Sequence, residues 1–287
     1  MKINTGTQAL LCTVEDGVAT ITLNRPDARN ALGEELTPAL RRMIKQAGDD
    51  PEVGAVLITG TGNAFCAGGD VKSMNRSGGA LQKSESGQAQ ATREERIADL
   101  QQRQRTLTGA LVGLRKPTVA ALPGPAAGAG LSIALACDIR IAAESAFVST
   151  AYARIGLSGD YGIAWLLSRA VGNARARELM FLPERIDAAR CERIGLINYV
   201  VPDNELRQAA FDLAVKLASG PRLALRNMKE NLDDAITSDF LSALDVEAVR
   251  MVDSAQTGDH REAVRAFVEK RSPQFKDKVE PVTDQNR

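Results

Sequence analysis

Residues 124–138 read GPAAGAGLSIALACD. Small residues as far as Gly130 lead into a run that is apolar or small throughout, which predicts a tight loop feeding a buried helix over Gly128–Cys137. The start of such a helix carries no bulky side chain, and its unpaired N–H groups and dipole favour negative charge, so backbone alone can hold a developing oxyanion there. TVAALPG (118–124), immediately upstream, has the pattern of a strand. A strand, a glycine turn and a helix, with Glu144 lying 20 residues after Gly124, superficially match a dinucleotide-binding unit. The fingerprint fails: Gly128-x-Gly130 is followed by Ile133 where a third small residue is needed, and there is no GxxxxGK[ST] loop. Ser132, within Gly130-Leu131-Ser132-Ile133-Ala134, mimics a nucleophile elbow that lacks its final glycine. The chain's one histidine, His260, lies in the distant tail, which argues against a serine triad and reads as a surface or interface residue.

Working outward, VATITLN (18–24) alternates like a half-buried strand until Arg25-Pro26-Asp27 breaks it. Leu36, Leu40, Met43, Ile44 and Ala47 repeat at helical spacing, and Gly48 to Pro51 closes that run. VGAVLITG (53–60) suits a strand covered on both faces. After it comes AFCAGGD (64–70), where Gly68 and Gly69 permit backbone conformations and approach distances that leave amides free to face a ligand oxygen. Residues 73–93 are rich in Ser, Gly, Gln and Ala without apolar periodicity, as in a loop over a site or a surface insertion. Ile97, Leu100, Leu107, Leu111 and Leu114 mark a long helix ending at Lys116-Pro117. Strand and helix thus alternate, as in an α/β core. Beyond residue 203 strand signals stop: Leu206, Ala210, Leu213 and Leu217, then 222–235, 239–256 and 259–271, read as helices of the kind that pack on a neighbouring subunit.

Composition narrows the partners. The 287 residues, 44% hydrophobic, suffice for a sizeable core, and 36 basic against 36 acidic side chains give no net field for nucleic acid or an anionic membrane. Cys12, Cys66, Cys137 and Cys191 form no CxxC pair, which favours buried thiols over a metal or redox site. No signal peptide and no apolar run of roughly 18 residues is present, so a cytoplasmic protein is expected.

The type, order and separation of these segments resemble the enoyl-CoA hydratase/isomerase (crotonase) superfamily over nearly the whole chain. NRPDARNAL (24–32) is similar to that family's first coenzyme-binding turn, AFCAGGDVK and 124–148 to its two oxyanion segments, and AFVEKRSPQF (266–275) to its closing helix. The resemblance implies a crotonase-like spiral of ββα units over 1–202 and a helical trimerisation section over 203–287, in a homotrimer or dimer of trimers. It implies an acyl-CoA thioester substrate, with coenzyme A entering as part of that substrate and neither a separate cofactor nor a metal. The oxyanion donors fall on the backbone amides of Gly69 and Ala129. Pantetheine and adenine fall along the backbone of Ala28, Asn30, Ala67, Asp70 and Val71, with Phe267 and Lys270 at the adenine and phosphate end; Lys270 reads equally well as a solvated helix charge.

Hydratases of the family use two glutamates, whose positions here fall on Ser132 and near Tyr152, neither a useful acid or base at neutral pH. The nearest acid is Asp160, in RIGLSGDYGIAWLLSRAVG (154–172). That stretch resembles the Gly-Leu-x-x-Asp-x-Gly branch, which includes isomerases of ring-derived acyl-CoAs, and the resemblance gives Asp160 the acid/base role. Burial beside an acyl chain would raise its pKa toward the working range. The alternative for Asp160 is an N-cap of the following helix. One carboxylate suits one proton shuttle, so double-bond isomerisation is favoured over hydration. A hydratase with an unidentified second group and a noncatalytic acyl-CoA binder stand as alternatives. Glu144 aligns with a solvent-side turn of the family.

Overall fold

The computed structural model describes residues 1–70 and 91–278. Val71 and almost all of the 73–93 segment lie outside the described residues.

The main sheet contains β1 (Lys2–Ile3), β2 (Leu10–Glu15), β3 (Val18–Leu23), β4 (Ala55–Gly60), β5 (Thr118–Leu122), β7 (Ile139–Ala143) and β10 (Tyr199–Val201), hydrogen-bonded in that order. The first three strands pair antiparallel and the rest parallel, with Ile21 opposite Ile58 and Leu57 opposite Val119. Every residue of β5 and the first four of β4 are buried, as expected of parallel strands covered on both faces. A second, small sheet joins β6 (Ala126–Ala127), β8 (Phe147–Ser149) and β9 (Ile186–Asp187). This is the α/β architecture expected from the sequence.

Helix α1 (Leu36–Asp49) buries Leu36, Leu40, Met43, Ile44 and Ala47, the predicted apolar stripe, and runs through Gly48 to Asp49. The long helix predicted to end at Lys116 is broken differently. Thr92 and Glu95 form a capping box for α2 (Arg93–Gln104), which passes into a π turn (Arg105–Gly109) before Ala110–Val112. Thr106 and Thr108 Oγ1 bond back to the Gln102 and Gln104 carbonyls at 2.8 and 3.4 Å, competing with the regular ladder. Leu107 and Leu111 are fully buried, whereas Ile97 and Leu100 on the α2 side are exposed.

Two further helices complete the core side: α3 (Ala129–Ala136), buried along its whole length, and α4 (Ile163–Phe181). The short α5 (Ala188–Arg193) follows, and then the helical section expected from residue 203, which divides in two. Helix α6 (Leu206–Ala218) buries Leu206, Ala210, Ala214 and Ala218 against β3, β4, β5 and β7, so the core extends about 16 residues past the boundary expected at 202. Contact is close: a Cβ on Gly54 would stand 2.5 Å from the Ala218 carbonyl oxygen. Helices α7 (Arg222–Ala235), α8 (Phe240–Ala255) and α9 (Gly258–Val268) instead leave Leu232, Phe240, Leu241, Met251 and Phe267 exposed. Among the described residues, no helix is long and apolar enough to cross a membrane.

Candidate active site

Glycine geometry brings the two loops singled out in the sequence together. Gly68 has φ +89°, and a Cβ there would stand 2.7 Å from the Ala127 oxygen and 3.4 Å from the Ala129 nitrogen. A Cβ on Gly130 would fall 2.2 Å from the Cys66 oxygen. The strand-like pairing of Cys66 with Ala126 holds the loops in register, through Ala127 N–H donating to the Cys66 carbonyl at 2.9 Å. Gly128, at φ +51° and ψ −126°, then turns the chain into α3, so Ala129 is its first residue. An N–H in that position has no partner within its own helix. Gly69 pairs with Leu32 through the Gly68 carbonyl and the Asp70 amide, which leaves the Gly69 amide outside that ladder.

The turn at 25–32 lies against the same loop. Asn30 is fully buried: its Nδ2 donates to the Thr61 and Ala64 carbonyls at 3.0 and 2.8 Å, and its Oδ1 accepts from the Arg25 amide at 2.8 Å. The Asn30 side chain is thus a buried brace for the turn. Ala28, Ala67, Gly69 and Asp70 are half-buried along one edge. The amides of Ala28, Ala67 and Asp70 are engaged with the Arg25, Arg29 and Leu32 carbonyls. Arg25 pairs with Asp70 at 3.3 Å. Phe267 is 85% exposed at the end of α9 and Lys270 is exposed beyond it. No hydrogen bond or ion pair among the described residues ties either to this edge within one chain.

Asp160 meets α3 at Ser132. Its Oδ1 accepts from the Tyr152 hydroxyl at 2.7 Å, and Ser132 Oγ lies 3.4 Å from that hydroxyl and 3.3 Å from the Asp160 carbonyl oxygen. Burial pushes the Asp160 carboxyl above its ordinary range, and the Tyr152 hydrogen bond opposes this. The Tyr152 phenol is itself driven up, first by burial and then by the neighbouring Asp160 charge. The capping alternative is not realised by the Asp160 side chain: Gly162 is the N-cap of α4, and Asp160 contributes its carbonyl to the Ile163 amide. Left-handed residues shape this segment: Ala151 (φ +62°), Gly156, Gly159, Tyr161 (φ +51°) and Gly162. The Tyr161 amide donates to Gln104 Oε1 at 2.7 Å, from the residue just before the π turn.

Sequence reasoning set Tyr152 aside as a poor base and did not register Gln104. The signal for Tyr152 was its place opposite Ser132 in the family pattern; Gln104 gave none. Glu144 is exposed in the turn after β7, and His260 is exposed on α9. A cavity of about 420 Å³ opens beside the Asp160 loop, lined by Gln104, Thr108, Val112, Tyr161, Trp165 and Leu166. A larger one, about 570 Å³ between α7, α8 and α9, includes none of the residues assembled here. Among the described residues, no three His, Cys, Asp or Glu side chains gather into a group that could hold a metal ion.

The enoyl-CoA hydratase/isomerase family profile matches residues 13–278. The chain is 36% identical over 266 residues to 1,2-epoxyphenylacetyl-CoA isomerase of Escherichia coli (strain K12), covering 93% of this chain and 97% of the relative. It is 33% identical over 264 residues to the mitochondrial enoyl-CoA hydratase domain-containing protein 2 of Bos taurus, covering 90% and 84%. Among solved structures, an enoyl-CoA hydratase from Bacillus anthracis superimposes with a TM-score of 0.83 at 31% identity, over 94% of this chain and 99% of that one.

Proposed function

The chain belongs to the enoyl-CoA hydratase/isomerase family, and on that premise we propose that it moves a double bond within an enoyl-CoA thioester, using Asp160 as a single acid/base. The thioester oxygen sits between the amides of Gly69 and Ala129, which stabilise the enolate; each such donor contributes about 3–4 kcal/mol in the transition state. Asp160 takes a proton from one carbon of the acyl group and returns it to another, while Ala28, Ala67 and Asp70 flank the pantetheine and nucleotide. Val71 belongs to the same proposal. Phe267 and Lys270 serve the nucleotide end from a neighbouring subunit.

The observation that carries this reading is the carboxylate inventory around α3. The two places where hydratases of the family hold glutamates fall on Ser132 and near Tyr152, and both of these residues are hydrogen-bonded toward the half-buried Asp160. One carboxylate can shuttle a proton, whereas hydration needs water activation and proton delivery together. Coenzyme A arrives with the substrate, and the reaction calls for no redox cofactor or metal. The exposed apolar residues of α7 to α9 support a homotrimer or dimer of trimers. Four free, buried cysteines fit a reducing compartment, which supports a cytoplasmic location.

Hydration is the second reading, favoured by the Bacillus anthracis relative's description as an enoyl-CoA hydratase. Assaying the native chain and Asp160→Asn with 3-enoyl-CoA and 2-enoyl-CoA decides between them. Interconversion of the two, lost in the variant by a factor of about 10² or more, supports the isomerase. Net formation of 3-hydroxyacyl-CoA supports the hydratase, and full activity in Asp160→Asn means that another group is the acid.

A further inference from the structure

We propose that Tyr152 is a positioning residue for Asp160: its hydroxyl holds Oδ1 and anchors the carboxylate to α3, so that Oδ2 is the oxygen that takes and returns the substrate proton. The inference rests on the reading of Asp160 as the acid/base and adds the residue that aims it.

Three observations meet at this phenol. Its ring is 5% exposed and seated under the oxyanion turn, with Cζ 3.9 Å from where a Cβ of Gly128 would be, next to the Ala129 amide. Its hydroxyl has one proton, and the short bond is to Asp160 at 2.7 Å, against 3.4 Å to Ser132 Oγ and 3.5 Å to the Asp160 carbonyl. Among the described residues, Asp160 Oδ2 carries no hydrogen bond. The phenol therefore fixes one carboxylate oxygen relative to the helix that presents the oxyanion donor and leaves the other for the substrate.

The backbone is built to put it there. Ala151 adopts φ +62°, a left-handed conformation costly for a residue with a Cβ, and this turns Tyr152 inward from the end of β8. Tyr161, on the far side of Asp160, is also left-handed at φ +51°, and its amide is held by Gln104. Strain on both flanks of one hydrogen bond is what a site held for geometry would show.

Tyr152 keeps its proton throughout. Burial and the adjacent carboxylate both oppose its ionisation, so it is a fixed donor and no second base. Its bond favours the charged form of Asp160 against burial, which favours the neutral acid. The other groups facing this pair are Ser132 on α3 and Tyr161 in the loop, with Arg41 of α1 and Arg103 of α2 acting on Tyr161. Tyr152 is the one among them that bonds the Asp160 carboxylate.

The test uses the full-length chain with 3-enoyl-CoA, comparing native protein, Tyr152→Phe and Asp160→Asn across pH. Tyr152→Phe keeps the ring and removes the donor. Its kcat should fall about tenfold or more, the worth of one hydrogen bond to a charged group, with KM within about twofold. The acid limb of its kcat/KM profile should move to higher pH. Site-specific 3,5-difluorotyrosine at position 152 makes a stronger donor and should move that limb to lower pH, which also covers the case in which the phenylalanine variant does not fold. Native pH profiles in the folded variants at position 152, with Asp160→Asn inactive, would overturn the role of Tyr152 alone. An active Asp160→Asn would overturn the reading beneath it.

Discussion

The two amides proposed to hold the thioester oxygen cannot be deleted by ordinary substitution, but proline can remove one. Ala129 is the first residue of α3, a position where proline is well accepted. Gly128, at φ +51° and ψ −126°, is in the mirror image of the extended conformation that a residue before proline prefers, which glycine adopts freely. Ala129→Pro should therefore fold, with an unchanged circular dichroism spectrum, and lose about 10²–10³-fold in kcat. Gly68→Ala should do worse, because its Cβ meets the Ala127 oxygen at 2.7 Å and φ is +89°. We expect about 1–3 kcal/mol of lost stability in urea unfolding. At this scale Gly68, Gly69 and Asp160 stood out in the sequence as candidates, because glycine pairs and an isolated acid in a glycine-flanked loop are local signals. The bracing role of the Asn30 side chain was not legible, because its burial depends on Thr61 and Ala64, more than 30 positions away. Tyr152 was named only as a poor base; what it does depends on a hydroxyl meeting a carboxylate eight positions on, which only the left-handed turn at Ala151 brings about.

At the scale of elements, β3, α1 and α7 were legible from periodicity, and β4, β5 and α3 from short apolar runs bounded by glycine or proline. The π turn at 105–109 was not, because an apolar stripe records which residues face inward but not how the ladder between them is wound. That irregularity has a use here: Gln104, immediately before it, accepts from the Tyr161 amide. Gln104→Ala should release the loop and lower kcat by about threefold to tenfold, the worth of one neutral hydrogen bond. Gln104→Glu, which can still accept, should recover part of the loss. The assignment of α6 to the appended section erred for a related reason: small apolar residues at helical spacing look alike on a core helix and an interface helix. Its buried Ala210, Ala214 and Ala218 lie flat on the sheet above Gly54. Gly54→Ala should lift that helix, destabilising the protein by about 1–3 kcal/mol, seen as a lower urea midpoint.

For the whole molecule, the exposed apolar residues of α7 to α9 contrast with a core whose thiols are all buried. Burial pushes the Cys12 thiol up to about 11 and those of Cys66, Cys137 and Cys191 up to about 12, from an ordinary value of 9.0. A folded-state value above the unfolded one means that the native state keeps protons that the unfolded chain loses. That stability is whole below pH 9 and drains away as pH rises toward 11 and 12. Lys116, held down to about 8 by burial, works in the opposite sense between 8 and 10.5, one group against four. The urea midpoint should thus fall between pH 8.5 and 10, about the interval in which unfolded thiols ionise. The measurement that bears most directly on the central claim is turnover of 3-enoyl-CoA in heavy water, with the product's mass and double-bond position both read. We predict 2-enoyl-CoA with no added water in its mass, retaining the substrate's own hydrogen except to the extent that the protonated Asp160 exchanges with solvent before it reprotonates carbon. A 3-hydroxyacyl-CoA product, or a conjugated product that forms equally well with Asp160→Asn, would contradict the account.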